Sequence, residues 1–511
     1  MSSQYTQDVE FNSGFGALQT PIHLYTAASL CGVSAAPVNR HFRYLDLACG
    51  NGLTLSLLAD AYPFAEFVGI DINPDHINGA RERARSAGLS NLQFIEADIA
   101  DLVAEKFEAF DYCAISGVYS WLDTDRRRQT RQFARGVLKP GGLLYLDYSS
   151  QPGMAQTAPL YQILKQVGAF QPGDSAAKLS AATGLLDTMR ERGARFFQQN
   201  PVAQNRLAGI RNNPPKDEAH EVFNLQEFGL WSSDVIDSME RQGFCFVGNS
   251  GLHHNLVAFT AHTRLPEQCE QMPQSLRQML QDVAWNVAQR KDLYIRSESP
   301  VKVELLDAIG EANAYAAPGA LSAESLARVA KGFPGVRFPT RAVEAVAAAV
   351  NAGSTLGEAH QQLVTLGFPS TEALAVIANL LASRLLSVAI CPLPTIAPGC
   401  DLVMPSRLNQ LILREDITDE LARPFTSPVV GSRVLLPVRD RVYLWAIVFG
   451  DVGNAWDVMG ELRHAFRGES GETLDRAAFV EVVNASLENF RKHAVPELLR
   501  LGILASGSRD N

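Results

Sequence analysis

From residue 43 onward the chain alternates short apolar runs with longer amphipathic ones. RYLDLA (43–48) reads as a first strand, and LTLSLLADAY (53–62) as a helix stopped by Pro63. EFVGIDI (66–72) is a second strand. Pro74 then falls in the first turn of a helix over 74–87, where its missing N–H costs nothing, and Gly88 ends that helix. LQFIEADI (92–99) and FDYCAISG (110–117) are strands three and four. A basic, polar helix follows over about 124–138, KPGG (139–142) makes a turn, and LLYLDYS (143–149) is strand five. Alternation at this spacing predicts an α/β fold, with a doubly wound, mostly parallel sheet and helices on both faces. Residues 1–150 therefore form a ligand-binding core, with an N-terminal arm over 1–20 and a short helix at LYTAASLCG (24–32).

The alternation stops after residue 150. Residues 151–243 carry helical stretches and loops rich in Pro, Gly and Gln, and read as a helical insertion. FCFVGNSG (244–251) and LVAFTAHT (256–263) read as two strands of a hairpin that closes the core, which brings the sheet to seven strands. The insertion then lies over the C-terminal edge of the sheet, where ligands of such folds bind, and acts as a substrate lid. Residues 264–320 are expected to form a helical regulatory segment, with SLRQMLQDVAWNVAQRKDLY read as helical and amphipathic. Residues 321–511 are expected to form a mainly helical domain. Helices followed by an apolar strand near 370–390 fit a winged-helix-like module, but the local charge is not basic, which favours a packing or interaction role.

Bulk properties narrow the function. A chain of 511 residues exceeds one core, so about three domains are expected. The net charge of −10 argues against nucleic acid as a partner. No apolar run reaches membrane-spanning length, and the N-terminus MSSQYTQDVEF does not read as a signal peptide. Seven cysteines without CxxC spacing fit a reduced, cytoplasmic setting with no disulfide frame. No metal-ligand spacing is present, so no metal is expected. A homo-oligomer is left open.

The candidate chemistry begins at LDLACGNG (45–52). Gly50 and Gly52 allow a sharp turn and a close ligand, and Ala48 and Cys49 share that loop. The helix opening at Leu53 offers free backbone N–H groups. Asp71 stands 19 residues after Gly52, at the tip of strand two, where a carboxylate accepts from ribose hydroxyls. The run Gly50-Asn51-Gly52-Leu53-Thr54-Leu55 lacks the third glycine of a dinucleotide fingerprint. S-adenosylmethionine, which has no phosphate, fits better. Asp46 would take its amino group, Asp71 the ribose, and Asp98 the adenine amino group between Ile72 and Ile99. Ser116 and Gly117 would lie beside the methionine portion. Singly these residues are weak signals, because a GxG loop is commonly a plain turn and Asp98 alone would be a helix cap. The ordered set is far more specific.

This arrangement resembles the class I S-adenosylmethionine-dependent methyltransferases, whose core is a Rossmann-like sheet. GVYSW (117–121), YSSQPG (148–153), HEVFN (220–224), FVGNSG (246–251), RKDLYIR (290–296) and SPVVGSRV (427–434) resemble more narrowly the bacterial members with a methyltransferase regulatory domain. That group includes the rickettsial-type protein-lysine methyltransferases, which act on outer-membrane proteins. The resemblance runs in patches over about 10–440. It implies S-adenosylmethionine as methyl donor and a protein lysine as acceptor. YSSQPGM stands where the family tends to have YNTYPGW, and TPIH where it tends to have a His-Pro pair. Both departures fall near the acceptor. A small-molecule O- or N-methyltransferase and a non-catalytic donor-binding adaptor therefore stand as alternatives.

Methyl transfer needs an aligned acceptor and a dry site, and a sulfonium is drawn to aromatic faces. Tyr119 and Trp121 after strand four, and Tyr148 ending strand five, are expected at the sheet's C-terminal edge. The plain alternative for Trp121 is packing between lid and core. His220 and Glu221 are expected to hold or deprotonate an amine, against the alternative of helix capping or a surface pair. His253 and His254 are expected to be solvated at the hairpin turn.

Overall fold

The computed structural model describes residues 8–9, 14–224, 226, 228–297, 299–394, 402–415, 421–449 and 475–507. Seven strands form one sheet in the order β3-β2-β1-β4-β5-β7-β6. They are β1 (Arg43–Leu47), β2 (Glu66–Asp71), β3 (Leu92–Glu96), β4 (Phe110–Ile115), β5 (Leu138–Ser149), β6 (Cys245–Asn249) and β7 (Gln289–Ile295). All the pairings from β3 across to β5 are parallel, and β7 runs antiparallel between β5 and β6.

Period-two alternation divides each strand between two cores. Tyr44, Tyr112, Leu143 and Tyr145 enter one apolar cluster, while Leu45, Leu47, Cys113, Leu144 and Leu146 enter the other. Both faces are thus buried, which is why the strands read as near-continuous apolar runs. The first face is covered by α1 (Pro21–Leu30), α2 (Leu53–Ala61) and α3 (Pro74–Ala87), the second by α4 (Thr124–Val137). The cap of α3 is the one the sequence suggests. Asn73 accepts from the backbone of Asp75 at 2.9 Å, Pro74 opens the helix, and Gly88 closes it with φ 71°.

The closing strands differ from the expectation in one respect. Residues 256–263 form no strand. They make the single-turn α11 (Val257–Thr260) flanked by short 3₁₀ turns, with Phe259 buried. The partner of β6 is β7, inside the stretch expected to be helical. The helix α12 (Gln274–Trp285) ends where Asn286 takes φ 50°, and the chain leaves extended. Charge masks the strand signal of β7. Arg290 and Asp292 are buried in it because Arg290 donates to Asp292 at 2.8 Å and to Asp282 at 2.6 Å.

The insertion has its own small core. Five helices, α5 (Ala158–Ala169), α6 (Ser175–Glu191), α7 (Arg195–Gln199), α8 (Pro201–Asn212) and α9 (Pro215–Asn224), bury Leu160, Leu164, Leu179, Leu207 and Val222 together. The last helix before β6, α10 (Ser232–Glu240), leaves that group. Its Val235, Ile236 and Met239 pack on the sheet. Beyond β7, further helices join the first core, among them α13 (Leu305–Ile309), α14 (Ala323–Gly332), α15 (Thr340–Asn351), α16 (Leu356–Thr365) and α17 (Ser370–Ala382). A hairpin of Arg423–Ser427 and Ser432–Leu436 sits on α2. There Thr426 Oγ1 donates to the carbonyl of Leu57 at 2.9 Å, and the Tyr62 hydroxyl donates to that of Gly431 at 3.1 Å. The SPVVGSRV motif is therefore a hairpin turn that braces the first core. Among the described residues no helix is long and apolar enough to cross a membrane.

Candidate functional site

A hollow of about 480 Å3 lies at the C-terminal edge of β1, β2 and β4, under the insertion. The loop after β1 makes its tight floor. Ala48, Gly50 and Gly52 all have positive φ, 65°, 55° and 70°. Gly52 does not line the hollow. A Cβ there would meet Phe94 at 2.5 Å and Ala80 at 2.8 Å, so it serves the close approach of α2 to strand and helix rather than the ligand. Ala48, Cys49 and Gly50 do line it.

The sheet register gathers the acids. Asp46 on β1 pairs with Gly69 on β2, so Asp71 projects to the same face two residues nearer the edge. On the other side Asp46 pairs with Ala114 and Ala114 with Tyr145, which puts Asp147 at the matching place on β5. All three are buried. Asp71 is built into the loop: its Oδ2 accepts from the Gly50 N–H and its Oδ1 from the Asn73 N–H, both at 2.9 Å. Asp147 lies beneath the floor, accepting from Ser116 Oγ at 2.8 Å and the Gly117 N–H at 2.6 Å. It thereby orients two residues that do line the hollow. Asp46 accepts from Gln19 Nε2 at 3.3 Å on one oxygen, and its Oδ1 has no hydrogen-bond partner among the described residues. Burial, then the charges of Asp71 and Asp147, push its carboxyl up to about 8.

Asp98 stands at the mouth. It caps a short turn by accepting from the Ala100 N–H at 3.0 Å, and Arg126 of α4 grips it from 3.1 Å. Ile72 and Ile99 line the adjoining wall with Ala97 and Leu122. Trp121 lines the hollow and also packs against the insertion's core, so it is both a site wall and a bridge from lid to core.

Four expected catalytic residues lie outside the lining. Tyr119 is 1% exposed in the second core, and its hydroxyl accepts from Arg131 Nη1 at 2.7 Å. Tyr148 is also buried there, donating to Asp292 at 2.8 Å, because alternation along β5 turns it away from Asp147. Neither ring faces the hollow, so the sulfonium-facing role fails for both. His220 is buried, with Nε2 on the Val9 carbonyl at 2.9 Å and Nδ1 toward Asn224 at 3.4 Å. It steadies Asn224, which does line the hollow, instead of meeting a substrate. Glu221 lies one turn from Asn224. Burial, opposed by Arg206 and reinforced by Glu218 and Asp147, raises its carboxyl above the usual range. His253 and His254 are not solvated either. They stack with each other at 4.1 Å and against Trp285.

Several lining residues carry no signal in the sequence pattern: Gly14, Gly16 and Gln19 of the arm, Thr54, Arg126 and Gln226, while Asn224 enters as the last residue of HEVFN. The Gly16 N–H donates to Thr54 Oγ1 at 3.0 Å, which folds the arm over the glycine loop. Tyr119→Phe gives an early check. It should cost about 2 kcal/mol of stability by stranding Arg131, the scale of a hydrogen bond to a charged group. Denaturant midpoints read that loss, and the dissociation constant of S-adenosylhomocysteine should stay at the wild-type value. A weakened constant would return Tyr119 to the site.

The residue set fits S-adenosylmethionine. An orphaned buried carboxylate oxygen suits an ammonium, three converging acids suit a cationic ligand, and Asp71 beside a glycine loop suits a ribose. Arg126 is the one lining cation among the described residues, and it is committed to Asp98, so a pyrophosphate would meet acids instead.

Comparison with known proteins agrees. Residues 39–191 match the family model described as a methyltransferase domain. An uncharacterised protein of Synechocystis is 28% identical over 308 residues, which cover 60% of this chain and 61% of that one. A trans-aconitate 2-methyltransferase of Methylobacterium radiotolerans is 31% identical over 159 residues, 31% of this chain and 56% of its own. The chain spans less than two thirds of the length of such curated relatives. Among solved structures, PKMT2 from Rickettsia typhi superposes with a TM-score of 0.70 at 14% identity, covering 97% of this chain and 100% of that one. The same protein in complex with AdoHcy gives 0.69 at 16% identity, over 96% of this chain and 99% of that one. Residues 39–191 thus carry a methyltransferase domain, and the chain shares with PKMT2 a Rossmann-like, mostly parallel seven-stranded sheet flanked by helices.

Proposed function

We propose that this chain methylates an amine nitrogen of another protein, a lysine side chain, with S-adenosylmethionine as donor. One observation supports the acceptor most directly. GVYSW and HEVFN, the two motifs narrowest to the rickettsial-type protein-lysine methyltransferases, lie about a hundred residues apart, yet Val118, Trp121 and Asn224 line one hollow. The full-length likeness to PKMT2 is consistent with this reading. The hollow's volume matches a single small-ligand site, so a second molecule reaches the methyl group through the mouth. A flexible lysine side chain suits that approach.

The donor, when bound, supplies an electrophilic methyl group on a sulfonium. The chain's residues do the rest by positioning. Asp46 and Asp71 hold the donor's polar ends, and the Gly16–Thr54 contact draws the arm across the loop. Trp121 and Val118 offer an apolar wall to lysine methylenes and exclude water. Glu221, outside the lining but one turn from the lining residue Asn224, is our choice for the group that takes the amine proton through an intervening water, since a carboxyl raised above its usual range is a stronger base. Glu221→Gln should lower turnover tenfold or more with little change in donor affinity. It should also remove the acidic limb of the rate–pH profile, which stands above the ordinary carboxylate range in the wild type. An unchanged profile would dismiss Glu221.

A small-molecule acceptor is the second reading, favoured by the trans-aconitate 2-methyltransferase relatives. Tritiated donor incubated with the protein and a cell extract separates the two. Counts in macromolecules support the first reading and counts in small molecules the second. Donor binding without transfer would leave a non-catalytic adaptor.

A further inference from the structure

A second cavity of about 560 Å3 lies between the β6–β7 edge, α12 and the residues after α17. It shares no lining residue with the donor hollow, although Leu18 lines the second and Gln19 the first. Its charge is unusual for an acidic chain. Arg384, just past the C-terminus of α17, takes φ 57° and brings the guanidinium of an exposed residue to the rim of the cavity. Among the described residues that guanidinium makes no hydrogen bond and no ion pair, and burial works against its charge. Lys291 of β7 also lines the cavity, and its ammonium has no ion-pair partner among the described residues. The nearest acid in register is Asp147, directly across on β5.

The other charges there are already paired, with one guanidinium between two carboxylates. Arg290 is committed to Asp282 and Asp292, and Asp282 also accepts from Ser232. His253 and His254 are held neutral, by burial first and then by the neighbouring cations. Their rings and Trp285 form an aromatic wall. Gln278 gives its carbonyl oxygen to Arg290 at 3.1 Å, which leaves its amide nitrogen as a further donor. What remains is Arg384 without a counter-ion, Lys291 balanced only through space by Asp147, and amide donors in a concave site. A partly desolvated guanidinium without a counter-ion is unfavourable, and a carboxylate or phosphate relieves it with matched geometry.

We propose that this cavity is a second ligand site, for a small molecule bearing an oxyanion, held by Arg384 and Lys291 beside Trp285. Carboxylates and phosphates share that chemistry, and two probes separate them. Citrate and pyrophosphate would be titrated calorimetrically into the full chain, with ionic strength held constant by sodium chloride. At least one should bind saturably, with a millimolar or tighter dissociation constant. Arg384→Gln should weaken it tenfold or more, Lys291→Gln severalfold, and Arg384→Lys should recover part of the loss. S-adenosylhomocysteine affinity, measured on each variant, reports folding. If Arg384→Gln loses that affinity, Lys291→Gln decides in its place. Heats equal to the chloride control, or variants that bind the probe like the wild type, would overturn the proposal.

Discussion

Asp46→Asn should make the donor-free protein more stable and the donor weaker at the same time. The two effects come from one carboxyl. In the folded chain Asp46 keeps its proton up to about pH 8, because burial and the charges of Asp71 and Asp147 oppose ionisation. An unfolded aspartate releases it near pH 4. Between those values the folded state holds more protons than the unfolded state, so stability falls as pH rises through the window. By pH 8 the loss is on the order of several kcal/mol, at roughly 1.4 kcal/mol for each unit of displacement. Asparagine removes the loss. The melting temperature of Asp46→Asn should therefore exceed the wild type by several degrees at pH 8 and by little at pH 5. A ligand ammonium demands the ionised form, so donor binding releases a proton. Wild-type affinity for S-adenosylhomocysteine should accordingly climb between pH 6 and 8, while the variant stays flat and binds ten to a hundredfold more weakly. Equal pH slopes in the two proteins would remove Asp46 from the ammonium site.

What can be read from the sequence follows from where each signal resides. Strands β1 to β5, the glycine loop and the acids at 46, 71 and 98 announce themselves in windows of fewer than ten residues, and Asp46, Asp71 and Asp98 do share one hollow. Asp147 is as legible as Asp71. Alternation along β5 turns Tyr145 and Asp147 toward β1's acid and Tyr148 away, so an expectation built on aromatic character picks Tyr148 where the acid belongs. Tyr119 fails for a related reason, since the short turn after β4 sends its ring into the core while Trp121 meets the hollow. The rest depends on distant partners. β7 hides because its buried charges neutralise one another within the strand and against Asp282 of α12, and Gln19 reaches Asp46 from an arm without periodicity. The role of His220 is fixed by a backbone carbonyl at Val9, 211 residues away.

Asp71→Ala should abolish tight donor binding, and the pattern across two ligands should tell why. Each oxygen of Asp71 already accepts a backbone N–H, from Gly50 and from Asn73, so the residue shapes the glycine loop as well as offering lone pairs to a ribose. Its removal strands two donors and loses the ribose contacts. About 3 kcal/mol is expected, roughly a hundredfold in dissociation constant. Asp71→Asn should fare nearly as badly, because an amide nitrogen would point its own hydrogens at one of those N–H groups. Adenosine alone carries the ribose and lacks the ammonium. Asp71→Ala should thus weaken adenosine and S-adenosylhomocysteine alike, whereas Asp46→Asn should weaken only the latter. The two acids sit on neighbouring strands with Asp71 two residues nearer the edge, so Asp71 would hold the ribose and Asp46 the ammonium. If adenosine binding survives the loss of Asp71, the ligand lies the other way round in the hollow, and the ribose belongs elsewhere.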